Sequence, residues 1–266
     1  MPARFITAKE LHELQIADKS LVVLDVRHLV GQARMRDQYE TGHIPGAIYV
    51  EMRDELAGPA SPGRGGRNPL PKPETLQANL RLWGISANSS VVIYSGLGQP
   101  AAGRAWWVLT WAGIRGVRML AGGYEAWVEA GLPVSKETPI PSPSEIVIHP
   151  GQLPDVTLSE VPWHAQRGQL VDVRPRVDFD LGHIPGAVNV PYTELSDSRG
   201  FPVAPGLLQS LFAGQGVDLK KTIALTCGGG VAAAWSAAIL DAIGIPTALH
   251  AGSWSEWIDS TTMNPQ

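Results

Sequence analysis

The chain has 266 residues, of which 44% are hydrophobic and 17% charged, with a formal net charge of -4. That balance excludes a disordered chain and leaves room for two domains of ordinary size, each with a core of its own. No basic block marks a nucleic-acid surface, and no run approaches the ~18 uninterrupted apolar residues of a membrane span. Cys227 is the single cysteine, which rules out an intrachain disulfide and a multi-cysteine metal site. Nothing else in the sequence has metal-ligand spacing. The N-terminus carries no apolar signal core, so a soluble protein of the reducing cytoplasm is expected.

In chain order the sequence presents one set of elements twice. Thr7-Ala8-Lys9-Glu10 has the form of a capping box and opens a short helix. An apolar run ending Leu24-Asp25-Val26-Arg27 reads as a strand, followed by Gly42-His43-Ile44-Pro45-Gly46-Ala47 and a second short strand at 48–50. The Pro/Gly-rich stretch 58–73 precedes a strand at Val91-Val92-Ile93-Tyr94, which ends at Ser95. An Ala-rich helical stretch then carries Trp106, Trp107 and Trp111, whose helical spacing reads as first-domain core. The round closes with Ala121-Gly122-Gly123-Tyr124-Glu125-Ala126-Trp127. From Pro133 to Pro154 six prolines predict an extended, weakly helical connector.

The second round begins with Thr157-Leu158-Ser159-Glu160, again of capping-box form. Val171-Asp172-Val173-Arg174, Gly182-His183-Ile184-Pro185-Gly186-Ala187 and the strand 188–190 follow in the same order. The strand Ile223-Ala224-Leu225-Thr226 ends at Cys227, and the close is Ala251-Gly252-Ser253-Trp254-Ser255-Glu256-Trp257. Between matched residues the offset falls from 150 (Thr7 to Thr157) through 147 (Asp25 to Asp172), 140 (His43 to His183) and 132 (Ser95 to Cys227) to 130 (Ala121 to Ala251). Chance similarity does not keep one order through five landmarks. The falling offset gives the first copy the longer loops, chiefly 31–39 and 58–73.

Alternating strands and helices predict an α/β fold: two tandem domains, each a mostly parallel sheet flanked by helices. We expect a first domain at 1–140, a linker at 141–154 and a second domain at 155–266, with the boundary near residue 145. In such sheets the working loops lie beyond the carboxyl ends of the strands.

Cys227 occupies such a loop. Gly228, Gly229 and Gly230 carry no side chain to block an approaching group, and they can turn successive amides inward around an anion. The helix expected from Val231 onward aims its N-terminal dipole at the same point, past Val231 and Ala232. Both effects stabilise a thiolate and make Cys227 a nucleophile near neutral pH. A cysteine phosphatase would need an arginine at the position of Ala233 to grip its phosphate. A dithiol oxidoreductase would need a resolving cysteine. The chemistry left is that of a thiolate that takes up a group, holds it and passes it to a second small nucleophile.

The residues that recur in the copy without a cysteine read as structural: Asp25 with Asp172, Arg27 with Arg174, and His43 with His183. Ser95 stands where the second copy has Cys227, and Pro100 lacks the amide a matching nest would need. The first copy is therefore expected to have no chemistry of its own. Trp254 reads equally as pocket wall or core, and Arg104, in the copy without a cysteine, has facing the interdomain cleft as its less favoured reading.

With these motifs assembled, the chain resembles the tandem-domain rhodanese family, the thiosulfate and 3-mercaptopyruvate sulfurtransferases. The resemblance runs over nearly the whole chain. It rests on both Asp-Val-Arg…Gly-His-Ile-Pro-Gly-Ala signatures, Arg67-Asn68-Pro69-Leu70-Pro71, Arg104-Ala105-Trp106-Trp107, the cysteine loop and the closing Gly252–Trp257. It implies a catalytic second domain and a persulfide on Cys227. It also implies a small-molecule sulfur donor, a thiol or cyanide acceptor, and no cofactor, nucleic acid or membrane. The donor would sit against Gly228, Gly229, Gly230, Val231 and Ala232. Two departures bear on the donor. Gly229 and Ala232 replace the hydroxyl residues of the mercaptopyruvate loop, and Asp178 replaces the second arginine of Asp-Ala-Arg-x-x-x-Arg-Phe, which leaves Arg176 as its stand-in. The neutral loop, without a side-chain cation, favours 3-mercaptopyruvate over thiosulfate. A non-catalytic rhodanese-like binding module and a persulfide carrier fed by a partner protein stay open beside the enzyme.

Overall fold

Two parallel sheets organise the protein, whose computed structural model describes residues 4–29, 35–61 and 64–263. In the first, β1 (Phe5–Ile6), β2 (Val22–Asp25), β3 (Ala47–Tyr49), β4 (Val91–Tyr94) and β5 (Val117–Leu120) run in the order β1-β5-β4-β2-β3. In the second, β6 (Leu170–Asp172), β7 (Val188–Asn189), β8 (Ile223–Thr226) and β9 (Thr247–Leu249) run in the order β7-β6-β8-β9. All seven strand pairings are parallel. The two orders match strand for strand, with the place of β1 reduced to a single parallel bridge from Asp155 to Leu249. Every residue of β4 and β8 is buried, as befits central strands covered on both faces.

The duplicated signature builds the same corner in each domain. Asp25 closes β2 and accepts a forked bond from Arg27, whose Nη2 also donates to the Gly42 carbonyl at 2.9 Å. Asp172, Arg174 and Gly182 repeat this at the end of β6, the last bond being 2.7 Å. The carboxylates are fully buried, so losing one partner would strand a charge at a cost of about 3–5 kcal/mol. His43 stacks on Tyr39 and pairs with the Tyr39 and Glu137 carbonyls. His183 stacks on Phe179 and pairs with the Phe179 carbonyl. Both rings brace the turn that delivers the chain to β3 or β7, His43 buried with both nitrogens paired and His183 exposed with Nδ1 alone paired among the described residues.

The domains meet through two 11-residue helices, Ala101–Trp111 and Val231–Asp241, which follow β4 and β8. Gly103 lies so close to the backbone of Trp235 that a Cβ there would overlap it. That approach merges the inner layers into one core, in which Trp106 and Trp107 pack with Val173, Leu225 and Ala234. The outer faces keep separate clusters, around Leu11 and Trp127 in the first domain and Val161 and Phe179 in the second.

Three local expectations are altered. The helix expected after Thr157 begins at Val161, because Pro162 has no amide to donate to a preceding turn. Glu160 instead accepts the Thr157 amide and closes a turn. The first-domain box does open its helix, Ala8–Ala17. The proline-rich connector is extended but docked on the first domain. Ser135 bridges His43, Arg81 donates to the Ile146 carbonyl, and Ile146 and Ile148 are buried. Of the long loop expected at 31–39, residues 31–34 lie outside the described residues, and the rest begins the helix Arg36–Thr41.

Candidate active site

β8, central and wholly buried, fixes where the chain must leave the sheet, and Cys227 is the first residue beyond it. The thiol is 3% exposed at the floor of its loop. Gly230 has φ +79, which turns its amide back so that it donates to Cys227 Sγ at 3.1 Å. A Cβ at Gly230 would overlap the Ala251 carbonyl. Among the described residues no protein group accepts from the amides of Gly228, Gly229 or Val231. Unpaired amides beside the start of a helix are the kind of backbone surface that favours an anion.

The closing segment of the domain forms the opposite wall. Ser253 accepts the Cys227 amide at 3.1 Å, donates to the His250 carbonyl at 2.8 Å, and sits 3.8 Å from Sγ. It is the only non-glycine residue with positive φ among those described, at +55. Its counterpart in the first domain is Gly123, with φ +64. Where the first copy uses glycine, the second holds a serine in a disfavoured conformation and gains a hydroxyl beside the sulfur. The aligned repeat contained that signal, Gly-Gly against Gly-Ser. Trp254 donates its amide to the Cys227 carbonyl at 2.9 Å, and its ring carries the Arg174 guanidinium at 4.9 Å, so it ties the corner to the loop. Below Ser253, buried His250 pairs with Glu256 at 3.2 Å, a bond that holds the Glu256 carboxyl below the usual range.

The first domain supplies the remainder. The Gly65 amide donates to Glu256, the Arg67 amide to Ser255 at 3.0 Å, and Asn68 Nδ2 to the Gly229 carbonyl at 2.8 Å. This strap lays the Arg67 side chain over the cysteine loop: Nη2 is 2.7 Å from where a Cβ on Gly228 would be. No acidic partner holds Arg67 among the described residues. The loop's own sequence is neutral, but the assembled site has a side-chain cation at its mouth. Arg104 lies fully buried behind the strap and donates from Nη2 to the Asn68 and Pro69 carbonyls, both at 2.9 Å.

Arg176 stands apart from this cluster. It opens the short helix Arg176–Asp180 after β6, is exposed, and turns its guanidinium toward Phe179 at 5.9 Å. Asp178 is exposed on the same helix. Among the described residues no group of three or more histidine, cysteine or carboxylate side chains could hold a metal ion. No helix among them is long and apolar enough to cross a membrane.

Fold and site together define a duplicated α/β protein with one thiol, which accepts a backbone amide at the end of a central strand. The profile of the rhodanese-like domain matches residues 7–130 and 158–260, so the chain belongs to the rhodanese family. It is 37% identical to the putative thiosulfate sulfurtransferase SseB of Mycobacterium tuberculosis, over 97% of this chain and 94% of that protein. It is 35% identical to the probable 3-mercaptopyruvate sulfurtransferase of Pseudomonas aeruginosa, over 96% and 95%. The crystal structure of the 3-mercaptopyruvate sulfurtransferase SseA from Escherichia coli superposes with a TM-score of 0.85 at 30% identity, covering 95% of this chain and 99% of that one.

Proposed function

We propose that the protein is a sulfurtransferase that moves a sulfur atom from thiosulfate or 3-mercaptopyruvate to cyanide or a thiol through a persulfide on Cys227. The observation that carries this is the Gly230 amide on Sγ, with neighbouring amides left unpaired for a larger anion. In the first half-reaction the Cys227 thiolate attacks the outer sulfur of the donor. With thiosulfate the S–S bond breaks and its electron pair leaves with sulfite. With 3-mercaptopyruvate the C–S bond breaks, and the pair stays on carbon as the pyruvate enolate, which takes the thiol proton. Either route leaves Cys-S-S⁻. In the second half-reaction the acceptor attacks the terminal sulfur, leaves as thiocyanate or a persulfide, and restores the thiolate.

Both donors bring an anionic group, and Arg67 at the mouth of the loop is the residue we assign to grip it. The cation missing from the loop's own sequence, the reason for favouring 3-mercaptopyruvate, is thus supplied across the domain interface, and thiosulfate is equally well served. Arg176, on the helix that follows β6 at the end of the second sheet where Cys227 leaves β8, is the second candidate for that grip. A lone cysteine held as a free thiol suits the reducing cytoplasm, where we place the protein. Steady-state rates with varied donor and cyanide test the mechanism. Parallel double-reciprocal lines are expected of sulfur held on the enzyme between half-reactions, and intersecting lines would contradict it.

A further inference from the structure

We propose that Arg104, a residue of the first domain, is the counter-ion of the anionic sulfur on Cys227, so that the charge balance of the site is completed across the domain interface. The inference rests on the reading of Cys227 as the working thiol.

Arg104 is fully buried, and none of the ion pairs among the described residues includes it. Nε and Nη2 donate to the carbonyls of Leu56, Asn68 and Pro69. Nη1 is buried and has no hydrogen-bond partner. It lies 3.2 Å from where a Cβ on Gly230 would be, and the Gly230 amide is the one that reaches Sγ. Burial pushes the guanidinium down to about 10, which leaves it charged at neutral pH, and the one ionisable group near enough to draw it back up is Cys227. Carbonyl dipoles satisfy two arms of the fork but do not neutralise a cation. A buried charge without a counter-charge is costly, and an anion at the sulfur removes that cost. The same field favours the thiolate before attack and Cys-S-S⁻ after it. In the repeat Arg104 matches Ser236, at the offset of 132 that relates Ser95 to Cys227, and Ser236 spends its hydroxyl on the Ala232 carbonyl. The cation therefore stands only on the side that faces the cysteine.

The other ionisable groups around the sulfur are Tyr192, raised by burial and by the Cys227 charge, Arg67 on the strap, and the His250–Glu256 pair reached through Ser253. Arg104 is the one cation among them that is walled off from solvent screening.

One cysteine makes the test specific. Alkylation of the full chain by iodoacetamide, followed against pH with no sulfur donor present, reports the Cys227 thiolate alone. In Arg104→Gln the midpoint of that profile is expected to rise by about one pH unit, the effect of removing one nearby opposite charge. Arg104→Lys keeps the charge and loses the carbonyl fork, and its midpoint is expected to stay within about half a unit of wild type. An unmoved midpoint in folded Arg104→Gln overturns the proposal. If that variant does not fold, Arg104→Lys decides: a midpoint near wild type supports a charge effect, and a rise beyond about half a unit shows that Arg104 acts only by shaping the strap. Because no donor takes part, a protein that accepts no sulfur would sink the sulfurtransferase reading without deciding this profile.

Discussion

The loops after β4 and β8 leave the same place in the same fold and differ in how their amides are used. After β8, the Gly230 amide points at a sulfur, and those of Gly228, Gly229 and Val231 have no protein partner among the described residues. After β4, the Gly96 amide is taken by the Gln99 side chain and the Leu97 amide by Glu125 at 2.6 Å, and the Ser95 hydroxyl donates to the Gln99 carbonyl. A carboxylate and an amide oxygen already fill the positions an incoming anion would need. A cavity of about 240 Å³ nonetheless lies along the Ser95 loop, beneath a strap from the second domain at 192–200. Among the described residues, what separates the two loops is the unpaired N–H groups of the second, with Arg67 beside Gly228 and Arg104 beside Gly230.

Breaking the amide geometry should have the largest effect. Gly230→Ala would drive a methyl group into the Ala251 carbonyl at a φ that alanine disfavours, and would displace the amide on Sγ. Loss of one such donor is expected to lower kcat about 100-fold, measured with either donor and cyanide. Ser253→Gly sharpens the comparison, since it installs the first domain's residue in the second. Removing the hydroxyl should lower kcat roughly 10-fold, while relief of the positive φ leaves Tm unchanged or slightly raised. A fall in Tm together with unchanged turnover would make Ser253 a purely structural residue. Arg67→Ala is expected to raise KM for the donor by about 10-fold with little change in kcat, the signature of lost ground-state binding. If Arg176→Ala shows that signature and Arg67→Ala does not, the grip belongs to the second domain. Smallest of all, Ser95→Ala should leave kcat/KM within about 2-fold of wild type, because that hydroxyl is spent inside its own loop.

The parts of the molecule legible in the sequence are those whose cause is local. β4 and β8 are short apolar runs buried on every side. Both Asp-Val-Arg corners close within one signature, and the cysteine loop carries its glycines in sequence. Arg67 and Arg104 were harder to place, because each reaches its target only after the two copies fold and pack through Gly103 and Trp235. No periodicity within one copy records a contact made with the other. Ser253 was accessible as the one change in an otherwise repeated Ala-Gly-Gly, and its φ shows why the change costs something. The docked connector was obscured because prolines report an extended backbone and not what it packs against; Ile146 and Ile148 were the apolar clue.

The claim that one loop works and its twin does not can be read directly by weighing the intact protein after incubation with thiosulfate or 3-mercaptopyruvate. Wild type is expected to gain the mass of one sulfur atom, about 32 Da, and to lose it again on addition of cyanide, whereas Cys227→Ser should gain nothing and Ser95→Ala should load like wild type. A sulfur retained by Cys227→Ser, or a wild-type protein that takes up none from either donor, would contradict the account.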